Sequence, residues 1–254
     1  AFFILLPVFL KRVIKVKLAE LGYSAIIGLV LVLYMVLQIV GLKTTSASNS
    51  AFITSTSVLM IPFLCFIFFK KKITISNLFG MIFAVVGVYF ITGGLSKTFV
   101  IGDLYTLIGA FLVAVHIILV DYFTKVRKQD GLTLGIFQSL FTGIFGLICW
   151  ACFINPPFSG VVYSQTLWES ISLTALLCTA YAFTAQVYMQ QFVSPTKISI
   201  ILLLEPIFAT IYTLFISGPD GNIEVITNIK VVGIAFVIVG TLISETNILE
   251  DQRR

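Results

Sequence analysis

The chain has 254 residues, 59% of them hydrophobic and 11% charged, with a mean hydropathy of +1.09. Soluble domains carry about 45–50% apolar and about 25% charged residues, so a water-soluble globular protein is excluded. The net charge of +5 comes from basic residues placed between apolar runs, not from a basic, water-facing surface of the kind that binds nucleic acid.

Ala1 to Leu10 is an apolar stub, too short to span a bilayer and without the basic start of a leader peptide. It is expected to be the tail of a cut helix. Eight apolar stretches follow, at 21–42, 47–69, 75–95, 102–124, 131–154, 167–192, 196–217 and 228–246. Each is long enough to cross a membrane as a helix. The connections are short, with Asn155-Pro156-Pro157, Ser159-Gly160 and Ser217-Gly218-Pro219-Asp220-Gly221 as punctuation. They leave no room for a soluble domain. Glu250, Asp251, Arg253 and Arg254 read as a solvated tail.

Cytoplasmic loops carry an excess of Lys and Arg. One set of alternate connections holds Lys11, Arg12, Lys15, Lys17, Lys70, Lys71, Lys72, Lys125, Arg127, Lys128, Lys197, Arg253 and Arg254, whereas the other holds only Lys43, Lys97 and Lys230. This asymmetry places the C-terminus in the cytoplasm. The four cysteines, Cys65, Cys149, Cys152 and Cys178, lie within apolar segments and read as packed thiols, although Cys149 and Cys152 form a C-x-x-C spacing. The sequence contains no P-loop and no H-E-x-x-H. No metal and no cofactor is expected, and an enzyme is not.

Shifting the sequence by 148 positions places Gln38 on Gln186, Ser46 on Ser194 and Ile53 on Ile201; five more, taken up in the longer loop after residue 217, place Gly80 and Gly87 on Gly233 and Gly240. Each copy has a spanning helix, a tight Ser/Thr-rich connection, a second helix, a polar loop and a helix with G-x6-G. The expected fold is an all-α integral membrane protein of two inverted-topology repeats of five helices, with the first helix and most of the second missing. The repeats are assigned to residues 1–95 and 102–248. An odd number of spans per copy inverts the second against the first, a construction found in secondary transporters.

Polar residues within spans mark the bundle interior. Ser50, Thr54 and Ser57 share one helical face, as helix glue or as a cavity-lining stripe. Asn49 stands where it can cap that helix. Tyr34 and Gln38 share a face, as do Gln186 and Gln190, with Gln38 and Gln186 in mirrored positions. Glu205 lies about nine residues into its span, where a charge costs at least about 2.5–3.5 kcal/mol; it is protonated, wetted, paired or hydrogen-bonded near the break expected at Pro206. Pro62 is expected to interrupt its helix likewise. His116 is the one histidine and reads either as a hydrogen-bonded core residue or as a cavity group. Asp121 has Lys125 as an interfacial partner.

The strings Gln38-Ile-Val-Gly41-Leu-Lys-Thr-Thr-Ser46-Ala-Ser-Asn49-Ser-Ala-Phe52-Ile-Thr54, Gly102-Asp103-Leu with His116-Ile-Ile-Leu-Val-Asp121, and Gln186 leading to Ser194-Pro195-Thr196-Lys197 and Leu204-Glu205-Pro206 resemble the EamA family of the drug/metabolite transporter superfamily. Val58 stands where that family frequently has proline, and Lys70-Lys71-Lys72 where it often places an acid. The resemblance implies a ten-helix carrier in the bacterial inner membrane, moving amino acids or related metabolites outward. It also implies a central cavity lined in part by 21–42, 47–69, 102–124, 167–192 and 196–217.

The sequence therefore points to a multispanning transporter of small organic metabolites working by alternating access. Tyr34, Gln38, Thr54, Ser57, His116, Gln186 and Glu205 are its candidate substrate-binding residues. Its partners are the lipid bilayer and a small-molecule substrate, and a homodimer is compatible with it. The competing reading is a membrane-embedded receptor or scaffold without a transport cycle.

Overall fold

Leu18–Gly41 is apolar over most of its length, and its backbone must be satisfied within the segment if lipid surrounds it, which a helix achieves. The same holds along the chain. A computed structural model of the protein describes residues 1–70, 74–94, 98–154, 164–212, 215 and 227–251. Among these no strand occurs. Lys71, Lys72, Lys97, Arg253, Arg254 and the loops carrying Asn155-Pro156-Pro157, Ser159-Gly160 and Ser217 to Gly221 lie outside the described residues.

Two short helices, α1 (Phe2–Val8) and α2 (Leu10–Val13), come first. Among the described residues, seven helices long and apolar enough to cross a membrane follow: α3 (Leu18–Gly41), α4 (Ala47–Phe69), α5 (Ile75–Thr92), α6 (Ile101–Val126), α7 (Gly131–Cys152), α8 (Leu167–Gln190) and α9 (Pro195–Tyr212). The last helix, α10 (Asn228–Asp251), has a described apolar stretch of Asn228–Ser244. Large apolar side chains such as Phe63, Phe66, Ile67 and Phe68 on α4 are exposed. In water that surface would be untenable, and in lipid it is ordinary. The chain is an all-helical integral membrane protein.

Side-chain caps set several helix starts. Ser46 accepts from the Asn49 N–H (3.1 Å), Asp130 from the Thr133 N–H (3.0 Å), Ser164 from the Leu167 N–H (3.2 Å) and Ser194 from the Lys197 N–H (3.4 Å). The expectation that Asn49 caps α4 is thereby corrected. Ser46 holds that position, which frees the Asn49 side chain for another use.

The helices pack as two compact units. The first comprises Ala1–Leu33 and Leu119–Val193. Its core joins Ile27, Val120, Phe123, Leu134 and Val187, with Tyr23 stacked on Phe123 at 4.5 Å. Small residues let its helices approach closely. Gly28 lies against Phe141 and Thr142, and Gly135 against Thr184. Arg12 pairs with Asp130, and Lys125 bridges Asp121 and the Val193 carbonyl. The Lys125–Asp121 pair is the one read from the sequence, with Asp121 itself buried. Partial burial pushes the Asp130 carboxyl up, but hydrogen bonds from Thr133 together with Arg12 outweigh it and hold the group below the ordinary carboxylate range.

The second unit comprises Tyr34–Ile118 and Ser194–Arg254. One of its cores gathers Val58, Met81, Val88, Ile200, Leu203, Ile207 and Val237, and another Ile61, Leu64, Ala114, Ile117 and Ile118. Here α5 and α10 run antiparallel in backbone contact. A methyl group added to Gly80 would stand 2.5 Å from the Gly240 carbonyl oxygen, and one added to Gly87 2.6 Å from that of Gly233. Only glycine fits. Beside this crossing the Ser244 hydroxyl donates to Asn77 (3.3 Å).

Candidate functional site

The polar groups of the second unit are organised around two interrupted helices. In α4 the regular pattern ends at Ser55 and resumes at Ser57, with i→i+3 bonds from the Thr56 N–H to the Ile53 carbonyl (3.1 Å) and from the Leu59 N–H to the Thr56 carbonyl (3.0 Å). In α9 it ends at Leu202 and resumes at Glu205, with the Leu203 and Leu204 N–H groups donating to Ile200 and Ile201 (3.1 and 3.0 Å). Val58, Leu203 and Ile207, which flank the two interruptions, share one buried core.

The physical causes differ. Pro206 has no N–H and cannot continue the ladder behind it, so α9 is interrupted just upstream, as expected. Pro62 lies inside the unbroken helix Ser57–Phe69, which corrects the expectation of an interruption there. The α4 interruption instead falls where the Ser55 hydroxyl donates to the Ala51 carbonyl (2.8 Å) and the Thr56 hydroxyl to that of Ile53 (2.6 Å). Such back-bonding competes with the helix ladder.

Five further observations place the candidate residues. Ser57 opens the second half of α4 and is buried, and Thr54 is half-buried one turn before it. The hydroxyls of Ser50 and Thr54 have no hydrogen-bond partner among the described residues, and buried polar groups ordinarily have one. On α3, Tyr34 and Gln38 lie one turn apart, both half-buried. Glu205 opens the second half of α9 and is exposed. His116 is buried on α6 and engaged with a partner. These six lie in the second unit. Gln186 lies on α8 in the first unit, half-buried, one turn before the fully buried Gln190.

A node absent from the sequence-derived residues stands at the start of α6. Asp103 is buried and accepts from the Thr45 hydroxyl, from the Asn49 side-chain amide and from the Val100 N–H (2.9 Å). Gly41 and Gly102 are in close contact beside it. The signal was the Gly102-Asp103 string, an acid in a first helical turn next to a glycine. Its partners are 54 and 58 positions away, so spacing alone does not reveal them.

No group of three or more His, Cys, Asp or Glu residues able to hold a metal occurs among the described residues. The family model described as EamA-like transporter family matches residues 1–93 and 100–246, nearly the whole chain. The chain belongs to the EamA-like transporter family. Two relatives named "Uncharacterized transporter" are similar to this chain. One, from Archaeoglobus fulgidus, is 27% identical over 225 residues, covering 85% of this chain and 66% of its own length. The other, from Clostridium kluyveri, is 28% identical over 252 residues, covering 95% of this chain and 78% of its own. The chain thus spans just under two thirds of the archaeal relative. A solved crystal structure shares the fold with a TM-score of 0.72 at 15% identity, covering 91% of this chain and 79% of that one. The chain is thus a multispanning membrane-protein member of a transporter family.

Proposed function

We propose that this EamA-like transporter moves a small organic metabolite, an amino acid or related compound, outward by alternating access between two inverted repeats, residues 1–95 and 102–248. Its place is the bacterial inner membrane, with the C-terminus cytoplasmic as the lysine and arginine asymmetry directs. The observation that carries this reading is the register of the interrupted helices. The 148-residue offset that aligns Gln38 with Gln186 also places Ser57, where α4 resumes, on Glu205, where α9 resumes. Discontinuous helices in corresponding positions of two halves point to a substrate site between them.

The glycine contacts support the same reading. Gly80 corresponds to Gly233 and Gly87 to Gly240, so exchanging each glycine for its counterpart turns the Gly80–Gly240 contact into the Gly87–Gly233 contact. A two-fold axis across the α5–α10 pair has this property. Tyr34, Gln38, Thr54, Ser57, His116, Gln186 and Glu205 are the residues proposed to meet the substrate.

Accessibility tests the reading. With Cys65, Cys149, Cys152 and Cys178 replaced, single cysteines at Thr54 and Gln186 react with a water-soluble thiol reagent in membranes, because a carrier's site is wet. Silence at both positions contradicts the proposal.

A further inference from the structure

Each end of α6 grips a link between two spans. At one end the buried Asp103 carboxylate accepts from the Thr45 hydroxyl (2.5 Å) and from the Asn49 side-chain amide, which also donates to Thr45 (3.1 Å). This ties down the link between α3 and α4, within the second unit. At the other end the Lys125 ammonium, paired with the buried Asp121, donates to the Val193 carbonyl (2.7 Å). This ties down the link between α8 and α9, within the first unit. The 148-residue offset places Thr45 on Val193. Equivalent links of the two repeats are therefore gripped by opposite ends of one helix.

The chemistry of the two grips differs, so no shared residue type marks them in the sequence. At Thr45 a side chain donates to α6, whereas at Val193 the backbone carbonyl accepts from it. A carbonyl just past a helix C-terminus lacks a ladder partner and lies at the negative end of the helix dipole, where an ammonium is favoured. Asp121, one turn before Lys125, holds that ammonium in place. The turn carrying Lys125, Tyr122–Val126, is wound as a π-helix, with the Arg127 N–H donating to the Tyr122 carbonyl (3.1 Å). Single π turns of this kind occur frequently at functional sites. Val193 also ends a stretch of the first unit, and Ser194, the α9 cap, begins one of the second.

The lysine and arginine asymmetry directs the Lys125 end of α6 to the cytoplasmic face and the Asp103 end to the outer one. Alternating access opens one face at a time, and a contact made only while a face is shut biases the balance against opening it. We propose, resting on the transport reading above, that Asp103 with Thr45 forms an outer latch and Lys125 with Asp121 an opposed cytoplasmic latch. These are positioning residues, which set the face that opens and do not touch the solute.

The test reads sidedness. With Cys65, Cys149, Cys152 and Cys178 replaced, a single cysteine at Thr54 reports the rate of reaction with a membrane-impermeant thiol reagent from each face, in right-side-out and inverted vesicles carrying the full-length protein. Thr45→Val, which removes the outer donor at nearly constant shape, raises the ratio of outside to inside rates about tenfold, and Lys125→Met lowers it by about as much. Thr45→Ser and Lys125→Arg, which keep the donors, stay near the parent ratio. Asp121→Asn combined with Lys125→Met, which leaves no stranded buried acid, repeats the lowering. A merely structural role changes the melting temperature and does not move the ratio in opposite senses. A reactive reporter whose ratio fails to move in opposite senses in Thr45→Val and Lys125→Met overturns the latches and leaves the transport reading standing. A reporter silent from both faces in every variant contradicts the transport reading and the latches with it.

Discussion

Asp103 shows how much one buried acid can organise. Its carboxylate satisfies donors from Thr45, Asn49 and Val100, tying the connection between α3 and α4 to the first turn of α6. Replacing it with alanine strands those donors, and leaving a buried donor unsatisfied costs about 1–3 kcal/mol. Asp103→Ala is therefore expected to lower the thermal unfolding temperature in detergent, and Asp103→Asn, which keeps an acceptor, to lower it less. A melting curve unchanged by Asp103→Ala contradicts the node. Asp130 yields a pH prediction. Its folded carboxyl titrates below the ordinary value of about 3.9, so its contribution is fully present above that value and lost as pH falls through the lower folded one. The side chain is 35% exposed, which keeps the effect of Arg12 and the cap to about 1 kcal/mol or less. Asp130→Asn is expected to flatten the acid limb of a stability–pH profile and to leave its shape above pH ~6 unchanged.

At the level of elements, the α5–α10 crossing is fixed by glycine. Gly80→Ala and Gly87→Ala press a methyl group into the backbone of the facing helix, and such overpacking costs about 1–3 kcal/mol. Each is expected to lower the thermal unfolding temperature, whereas Gly143→Ala, where an added Cβ meets nothing within 4 Å, leaves it the same or raises it. Equal effects at all three positions contradict the crossing. The G-x6-G strings were visible in the sequence as a repeat, but not as facing partners, because a periodic motif does not specify which helix it meets. Helix existence was legible from the apolar runs, since lipid admits no alternative for a chain of this composition. The α4 interruption was misplaced at Pro62 because proline is a stronger breaker than serine or threonine, yet here hydroxyls bonding back to carbonyls decide it.

Across the whole molecule, the sequence made the membrane class and the family legible through the order of Gln38, Gly102-Asp103, Ser194-Pro195 and Glu205-Pro206. The site was legible only as a set of polar residues in spans. Six of the seven lie in one packing unit and Gln186 in the other, a division that follows from which helices touch and that chain order does not encode. The most direct measurement is counterflow into liposomes of the full-length protein, preloaded with single members of an amino-acid and amine panel. The account predicts accumulation of at least one labelled solute above protein-free liposomes, abolished when its unlabelled form is omitted from the lumen. No accumulation of any panel member contradicts it.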